Sequence, residues 1–161
     1  MDARTSKENY YLGIADAVLE RSTCLRRKYG AIIVRNDEII STGYNGAPRG
    51  RKNCSDLGCC TREAMKIPSG ERYELCRSVH AEANAIISAS RRDMIGATLY
   101  LVGRDAKTGE LLHDTTSCSM CRRQIINSGI IKVVARIGEN DFTITNVDEW
   151  ILKDDSIPTK L

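Results

Sequence analysis

The stretch Ser117-Cys118-Ser119-Met120-Cys121-Arg122-Arg123-Gln124-Ile125-Ile126-Asn127-Ser128-Gly129-Ile130-Ile131-Lys132-Val133-Val134-Ala135 decides how the chain is built. It reads as a helix from Cys118 to about Ser128, stopped by Gly129, followed by a buried strand over Ile130–Ala135. Upstream, Ser78-Val79-His80-Ala81-Glu82-Ala83-Asn84-Ala85-Ile86-Ile87 opens a second helix, expected from His80 to about Arg92. Ala83, Ile86, Ile87 and Ser90 would give it a small-residue face for close packing on a sheet. Ala97–Val102 is near-continuously apolar, so it should be a central strand. Strands alternating with helices imply an α/β domain of three layers, α/β/α, with helices on both faces of a mixed sheet. Parallel strand pairs would be joined through the two helices.

The rest of the chain fits around this unit. Residues 8–22 read as an amphipathic helix with Tyr11, Ile14, Ala15, Val18 and Leu19 on one face and Ser6 as its cap. Gly30–Val34 and Glu38–Gly43 form a hairpin across Asn36-Asp37. Tyr44–Arg77 is long and irregular, and a loop of that length inside a domain is usually functional or internally stapled. Asp105–Asp114 reads as a hairpin excursion turning at Lys107-Thr108-Gly109. Phe142–Thr145 can add a strand and Val147–Lys153 a short helix.

The chain has 161 residues, enough for a single domain over 1–161 with its own core. Its net charge of +3 is too weak to imply a nucleic-acid partner. No apolar run reaches the length of a membrane span, and Met1–Glu8 has no signal-peptide core, so a cytoplasmic protein is expected. The seven cysteines, Cys24, Cys54, Cys59, Cys60, Cys76, Cys118 and Cys121, are an odd number. In a reducing compartment they are metal ligands or free thiols before they are disulfides.

His80, Cys118 and Cys121 have the chemistry of a catalytic zinc site. Three protein ligands leave the fourth position open. Cys118 and Cys121 are spaced i, i+3 at a helix start, so both thiols point the same way and the helix N-terminus favours their thiolates. If the two helices lie side by side, their N-termini bring all three ligands together. Glu82, two residues from His80, is near the metal yet free to move protons. A lone Cys-x-x-Cys or His-x-Glu means little. The two in this order, each opening a helix, form the H-x-E…P-C-x-x-C pattern of zinc-dependent base deaminases, with Ser117 where the pattern has proline.

The chain resembles the cytidine deaminase superfamily, and within it the deoxycytidylate (dCMP) deaminase and late-competence-type branch. The resemblance covers about residues 8–135. It rests on Arg21-Ser22-Thr23-Cys24, Val34 through the hairpin to Ser41-Thr42-Gly43-Tyr44-Asn45-Gly46, Asn53-Cys54, Cys76 through Glu82, Asn84 through Ile87, and Cys118-x-x-Cys121 followed by Ile125 through Ile130. It implies a five-stranded sheet between helices and hydrolysis of dCMP to dUMP with release of ammonia. Glu82 would carry the protons, Asn45 would meet the sugar, and the Ala81 amide the pyrimidine carbonyl. Arg91 would lie near the nucleotide, or else be a solvated helix residue. A homo-oligomer, often a hexamer, is implied, with dCTP and dTTP as effectors at the Gly43–Gly50 loop.

Cys24, Cys54, Cys60 and Cys76 can form a second, structural zinc site; similar enzymes hold such a metal near the long loop, with cysteines at positions matching Cys24 and Cys54. Four thiolates suit a closed tetrahedral site that would staple the loop over about 44–78. Cys59 competes with Cys60, which the resemblance favours. Ordinary buried thiols are the alternative. Arg26, Arg27, Lys28, Arg49, Arg51 and Lys52 make a nucleotide-phosphate site or simply a solvated face. Ser117 and the 105–114 excursion change the approach to the cysteine helix, and His113 reads as a surface residue. Competing functions are a deaminase of cytidine, guanine or RNA adenosine, and a non-enzymatic zinc-stabilised nucleotide-binding module. The intact quartet of His80, Glu82, Cys118 and Cys121 argues against the last.

Overall fold

The structure is a computed structural model and describes residues 3–160; Met1, Asp2 and Leu161, the ends of the expected 1–161 domain, lie outside the described residues. Helix α1 (Lys7–Val18) starts under the Ser6 cap, whose Oγ accepts the Asn9 amide at 3.2 Å. It tightens into a 3₁₀ turn at Leu19–Arg21, so the helix expected over 8–22 ends in a narrower coil. Strands β1 (Arg27–Arg35) and β2 (Glu38–Tyr44) turn at Asn36 and Asp37, whose φ of 51° and 62° are those of a primed two-residue hairpin.

Strand β3 (Thr98–Asp105) pairs antiparallel with β1 and parallel with β4 (Lys132–Arg136), and β5 (Phe142–Asn146) closes the far edge antiparallel to β4. The order β2-β1-β3-β4-β5 is the expected five-stranded mixed sheet, with the apolar β3 at its centre. Strand alternation divides the core. Ile32, Val34, Tyr100, Val102 and Val134 pack under α1 with Leu12, Ala15 and Leu19. Ala31, Ile33, Leu99, Leu101, Val133 and Ala135 face the other helical layer.

That layer holds α4 (Ala81–Ile87), α5 (Arg91–Met94), α6 (Ser119–Ser128) and α7 (Val147–Leu152), after the short helices α2 (Cys54–Leu57) and α3 (Thr61–Ala64). The single helix expected over His80–Arg92 is in fact two. Ser90 acts as a fresh cap, its Oγ accepting the Asp93 amide at 3.3 Å, and the chain restarts there. The packing face also differs. Ala81 and Ala85 are fully buried, while Ile87 is 65% exposed. The reason lies in β2. A Cβ on Gly43 would stand 2.3 Å from the Ala81 carbonyl and 2.4 Å from the Ala85 nitrogen, so the α4 backbone rests directly on the strand. Ser41 Oγ donates to the Ala85 carbonyl at 2.7 Å and fixes the same contact. Of the two expected crossovers, only β3–β4 through α6 joins parallel neighbours; α4 leads from β2 to β3, which lie on either side of β1.

Candidate active site

His80 and Cys118 occupy equivalent places at the starts of α4 and α6. Both are N-caps with extended backbone, His80 at φ −68°, ψ 155° and Cys118 at φ −68°, ψ 164°. A cap side chain projects from the helix end rather than from its flank, so two neighbouring helices can aim side chains at one point. Cys121 adds the third, one turn into α6. His80 Nδ1 lies 3.5 Å from Cys118 Sγ and 3.3 Å from Cys121 Sγ. All three donor atoms fall within 4.8 Å of one another, and they are the one such His/Cys/Asp/Glu group among the described residues. Zinc bonded at roughly 2.3 Å to sulfur and about 2.0 Å to nitrogen, at tetrahedral angles, needs N···S edges of about 3.5 Å. The residues therefore fit the metal, as their spacing in the chain led one to expect.

The two thiols share one charge, and the bond to Cys118 together with burial pushes the Cys121 thiol up. The hydrogen bond from Cys121 and the adjacent His80 pull the Cys118 thiol down to about 4, well into the thiolate range. The bond to Cys118 raises His80 in turn, against its burial. Glu82 is 5% exposed, and burial pushes its carboxyl above the usual range. A carboxyl so placed holds a proton more readily than one in water, which suits a group that accepts a proton and returns it.

Ala81 is buried in the wall of the cavity in front of these groups, and as the first residue of α4 its amide has no acceptor within its own helix. Asn45 also lines the cavity, but its side chain is already engaged. Oδ1 accepts from Ser22 Oγ at 2.6 Å and from the Tyr29 amide at 2.8 Å, and Nδ2 donates to the Arg27 carbonyl at 2.9 Å. One amide hydrogen is left over. Arg91 departs from the expectation. It sits on α5, its Nε donates to the Asn127 carbonyl at 2.9 Å, and it borders a groove against α6 instead of the cavity. The new helix start at Ser90 turns it away.

Several cavity residues carried no signal in the sequence. Tyr29, Arg62, Tyr73, Ser78 and Thr116 line it together with Arg26 and Arg27. Arg62 is 5% exposed. Its Nε and Nη2 donate to the Glu71 carbonyl at 3.1 and 2.7 Å, and Nη2 reaches the Pro68 carbonyl at 3.3 Å. Its guanidinium lies 4.5 Å from the centre of the Tyr73 ring, which meets the His80 ring edge-on at 5.1 Å. Arginine in a loop usually means solvent; only the folded loop shows that this one organises it. Glu63 Oε1 pairs with Arg26 Nε at 2.9 Å, and Asp114 stands 4.0 Å from Arg27.

Of the second cysteine set, Cys24, Cys60 and Cys76 line the same cavity and Cys54 is buried. Burial and the neighbouring Cys24, Cys76 and Cys60 thiols push the Cys54 thiol up. The four are thus neighbours, although no three of their sulfurs approach as closely as the His80 group does. Cys59 is exposed and is not among the residues lining the cavity, and His113 is exposed, its Nδ1 2.6 Å from the Ile137 carbonyl.

The profile of the family described as cytidine and deoxycytidylate deaminase zinc-binding region matches residues 5–137. A deoxycytidylate deaminase of Mycobacterium phage D29 is 39% identical over 136 residues, covering 82% of this chain and 95% of the relative. That of Schizosaccharomyces pombe is 35% identical over 137 residues; the match covers 85% of this chain but only 39% of the yeast protein's length. Among solved structures, dCMP deaminase from the cyanophage S-TIM5 in apo form is 26% identical with a TM-score of 0.58, covering 83% of this chain and 85% of that one. Its complex with dCMP and dUMP is 25% identical with a TM-score of 0.55, covering 84% of each.

Proposed function

The chain belongs to the cytidine and deoxycytidylate deaminase family, and we propose that it hydrolyses dCMP to dUMP and ammonia. The observation that carries this reading is the convergence of His80, Cys118 and Cys121 on one point beside a buried Glu82, inside a cavity lined by Arg26 and Arg27. Zinc held by His80, Cys118 and Cys121 would supply a Lewis acid that brings the pKa of a water to about 7. Glu82 takes a proton from the attacking water and gives it to the ring nitrogen. It then moves the proton of the new C4 hydroxyl to the amine, and the C4–N bond breaks to leave a carbonyl and ammonia. The Ala81 amide holds the pyrimidine carbonyl, and Asn45 offers its remaining hydrogen to the sugar. Asn45 also locks the wall of the cavity, since its other bonds tie β1 to the turn at Ser22.

Arg26 and Arg27 in the cavity lining suit a substrate that carries a phosphate. Ammonia release across dCMP, CMP, deoxycytidine, cytosine and guanine tests this, with dCMP expected to react fastest. Faster turnover of guanine or of deoxycytidine would overturn it.

A second, structural zinc on Cys24, Cys54, Cys60 and Cys76 belongs to the same reading. Support comes from the gathering of four thiols behind a loop with little regular structure; the metal would have to draw them closer. Native mass spectrometry should find two zinc ions per chain, and one alone would sink the idea. Effector control by dCTP and dTTP through the exposed Arg49 and Lys52 is tested by Arg49→Ala and Lys52→Ala, which should lose the response and keep basal activity. A homo-oligomer, a hexamer by preference, would cover exposed Ile87, Ile95 and Ile131, and light scattering reads its mass. No helix among the described residues is long and apolar enough to cross a membrane. The free cysteines suit the cytoplasm, where the nucleotide substrate would be met.

A further inference from the structure

Ser117 stands where the zinc pattern has proline. Proline there would fix one backbone angle of the turn that presents Cys118, and serine leaves it free. Cys118 depends on that turn more than Cys121 does. As an N-cap it has extended backbone angles and only its carbonyl joins the helical ladder, whereas Cys121 lies within the helix.

The structure supplies the missing stiffness from another residue. Arg122 Nε donates to the Ser117 carbonyl at 3.0 Å, and Nη2 reaches Thr116 Oγ1 at 3.4 Å. Its own amide makes the first helical bond, to the Cys118 carbonyl at 2.9 Å, so side chain and backbone hold the carbonyls on either side of Cys118. The guanidinium in turn lies 5.1 Å from the centre of the Trp150 ring on α7, and Nη1 is 3.6 Å from Asp155. Trp150 and Asp155 lie beyond the residues 5–137 that the family profile matches. The stacked ring is the stronger brace, because Asp155 is 77% exposed and such pairs contribute little.

We propose that Arg122 is a positioning residue for the zinc ligands, clamping the 116–118 turn in the role that proline fills in the pattern, with Trp150 of the C-terminal helix as its platform. The inference rests on reading His80, Cys118 and Cys121 as zinc ligands and is independent of the substrate. Groups that orient metal ligands typically change metal affinity by roughly 10- to 100-fold when removed.

The test is zinc release from the full chain to a chromogenic chelator, with circular dichroism to confirm folding. Arg122→Met should release zinc about tenfold faster than the parent. Adding Ser117→Pro in the same chain should return the rate toward the parent's, because proline restores the lost restraint. Release at the parental rate from Arg122→Met overturns the proposal. So does fast release that Ser117→Pro leaves untouched, since Arg122 would then act through the fold at large. If Arg122→Met does not fold, Trp150→Leu takes its place: accelerated release supports the clamp, and parental release refutes it. A parent chain that holds zinc but deaminates nothing would defeat the proposed function and leave this inference standing.

Discussion

Replacing Gly43 with alanine puts a methyl group where α4 already has its backbone. The added Cβ would begin 2.3 Å from the Ala81 carbonyl oxygen and 2.4 Å from the Ala85 nitrogen, and real contacts of this kind are not shorter than 3.0 Å. Both neighbours are main-chain atoms, so neither can rotate aside and the helix must back away from β2. Two effects oppose. Alanine restricts the unfolded chain, which favours folding by about 0.4–1 kcal/mol. Overpacking against a rigid neighbour costs about 1–3 kcal/mol. The clash should win and lower Tm by roughly 2–4 °C per kcal/mol for a domain of this size.

The larger effect should be on activity, because α4 carries His80 at its cap and Glu82 in its first turn. A displacement near 1 Å of catalytic groups can cost about 100-fold in rate. Gly30→Ala is the matched control. Its Cβ would lie 2.1 Å from the Ala15 carbonyl, on the α1 face, away from the metal ligands. Urea unfolding together with kcat for dCMP measures both. Equal loss of stability with a far larger loss of kcat in Gly43→Ala is expected. A Gly43→Ala protein with parental kcat would refute the claim that this contact places the site.

Glu82→Gln should lower kcat by about 10²- to 10⁴-fold while retaining zinc, since an amide keeps the shape but cannot carry the proton; activity and metal content are read on one sample. Asp37, in the hairpin turn, bonds the Tyr11 hydroxyl and lies 3.3 Å from Lys7 Nζ, which together hold its carboxyl below the ordinary value near 3.8. Its folded value is depressed, so its contribution is complete above the unfolded value and lost as pH falls through the folded one. Asp37→Asn should therefore flatten stability against pH below about pH 4 and be followed by acid titration of fluorescence. Arg62→Ala frees the Pro68 and Glu71 carbonyls, and trypsin should then nick the loop at Lys66 or Arg72 well before the parent is cut. Equal digestion rates would show that the loop does not depend on Arg62.

The sequence alone determined the layered α/β class, the central position of β3, the hairpin turn and the candidate zinc ligands His80, Cys118 and Cys121 with Glu82 beside them. These follow from local causes: apolar period, caps, stop residues and ligand spacing within short helices. Tertiary structure decided the rest. It broke the His80 helix at Ser90 and so took Arg91 out of the cavity. It turned Ala81 and Ala85, and not Ile87, toward the sheet, because the fit of a helix against Gly43 depends on two elements far apart in sequence. It buried Arg62 by wrapping loop carbonyls around it, and it set Trp150 beneath Arg122. Ligand identity is local chemistry and is legible in a line of letters. Which neutral-looking arginine becomes a strut depends on what the fold carries next to it, and no single segment encodes that.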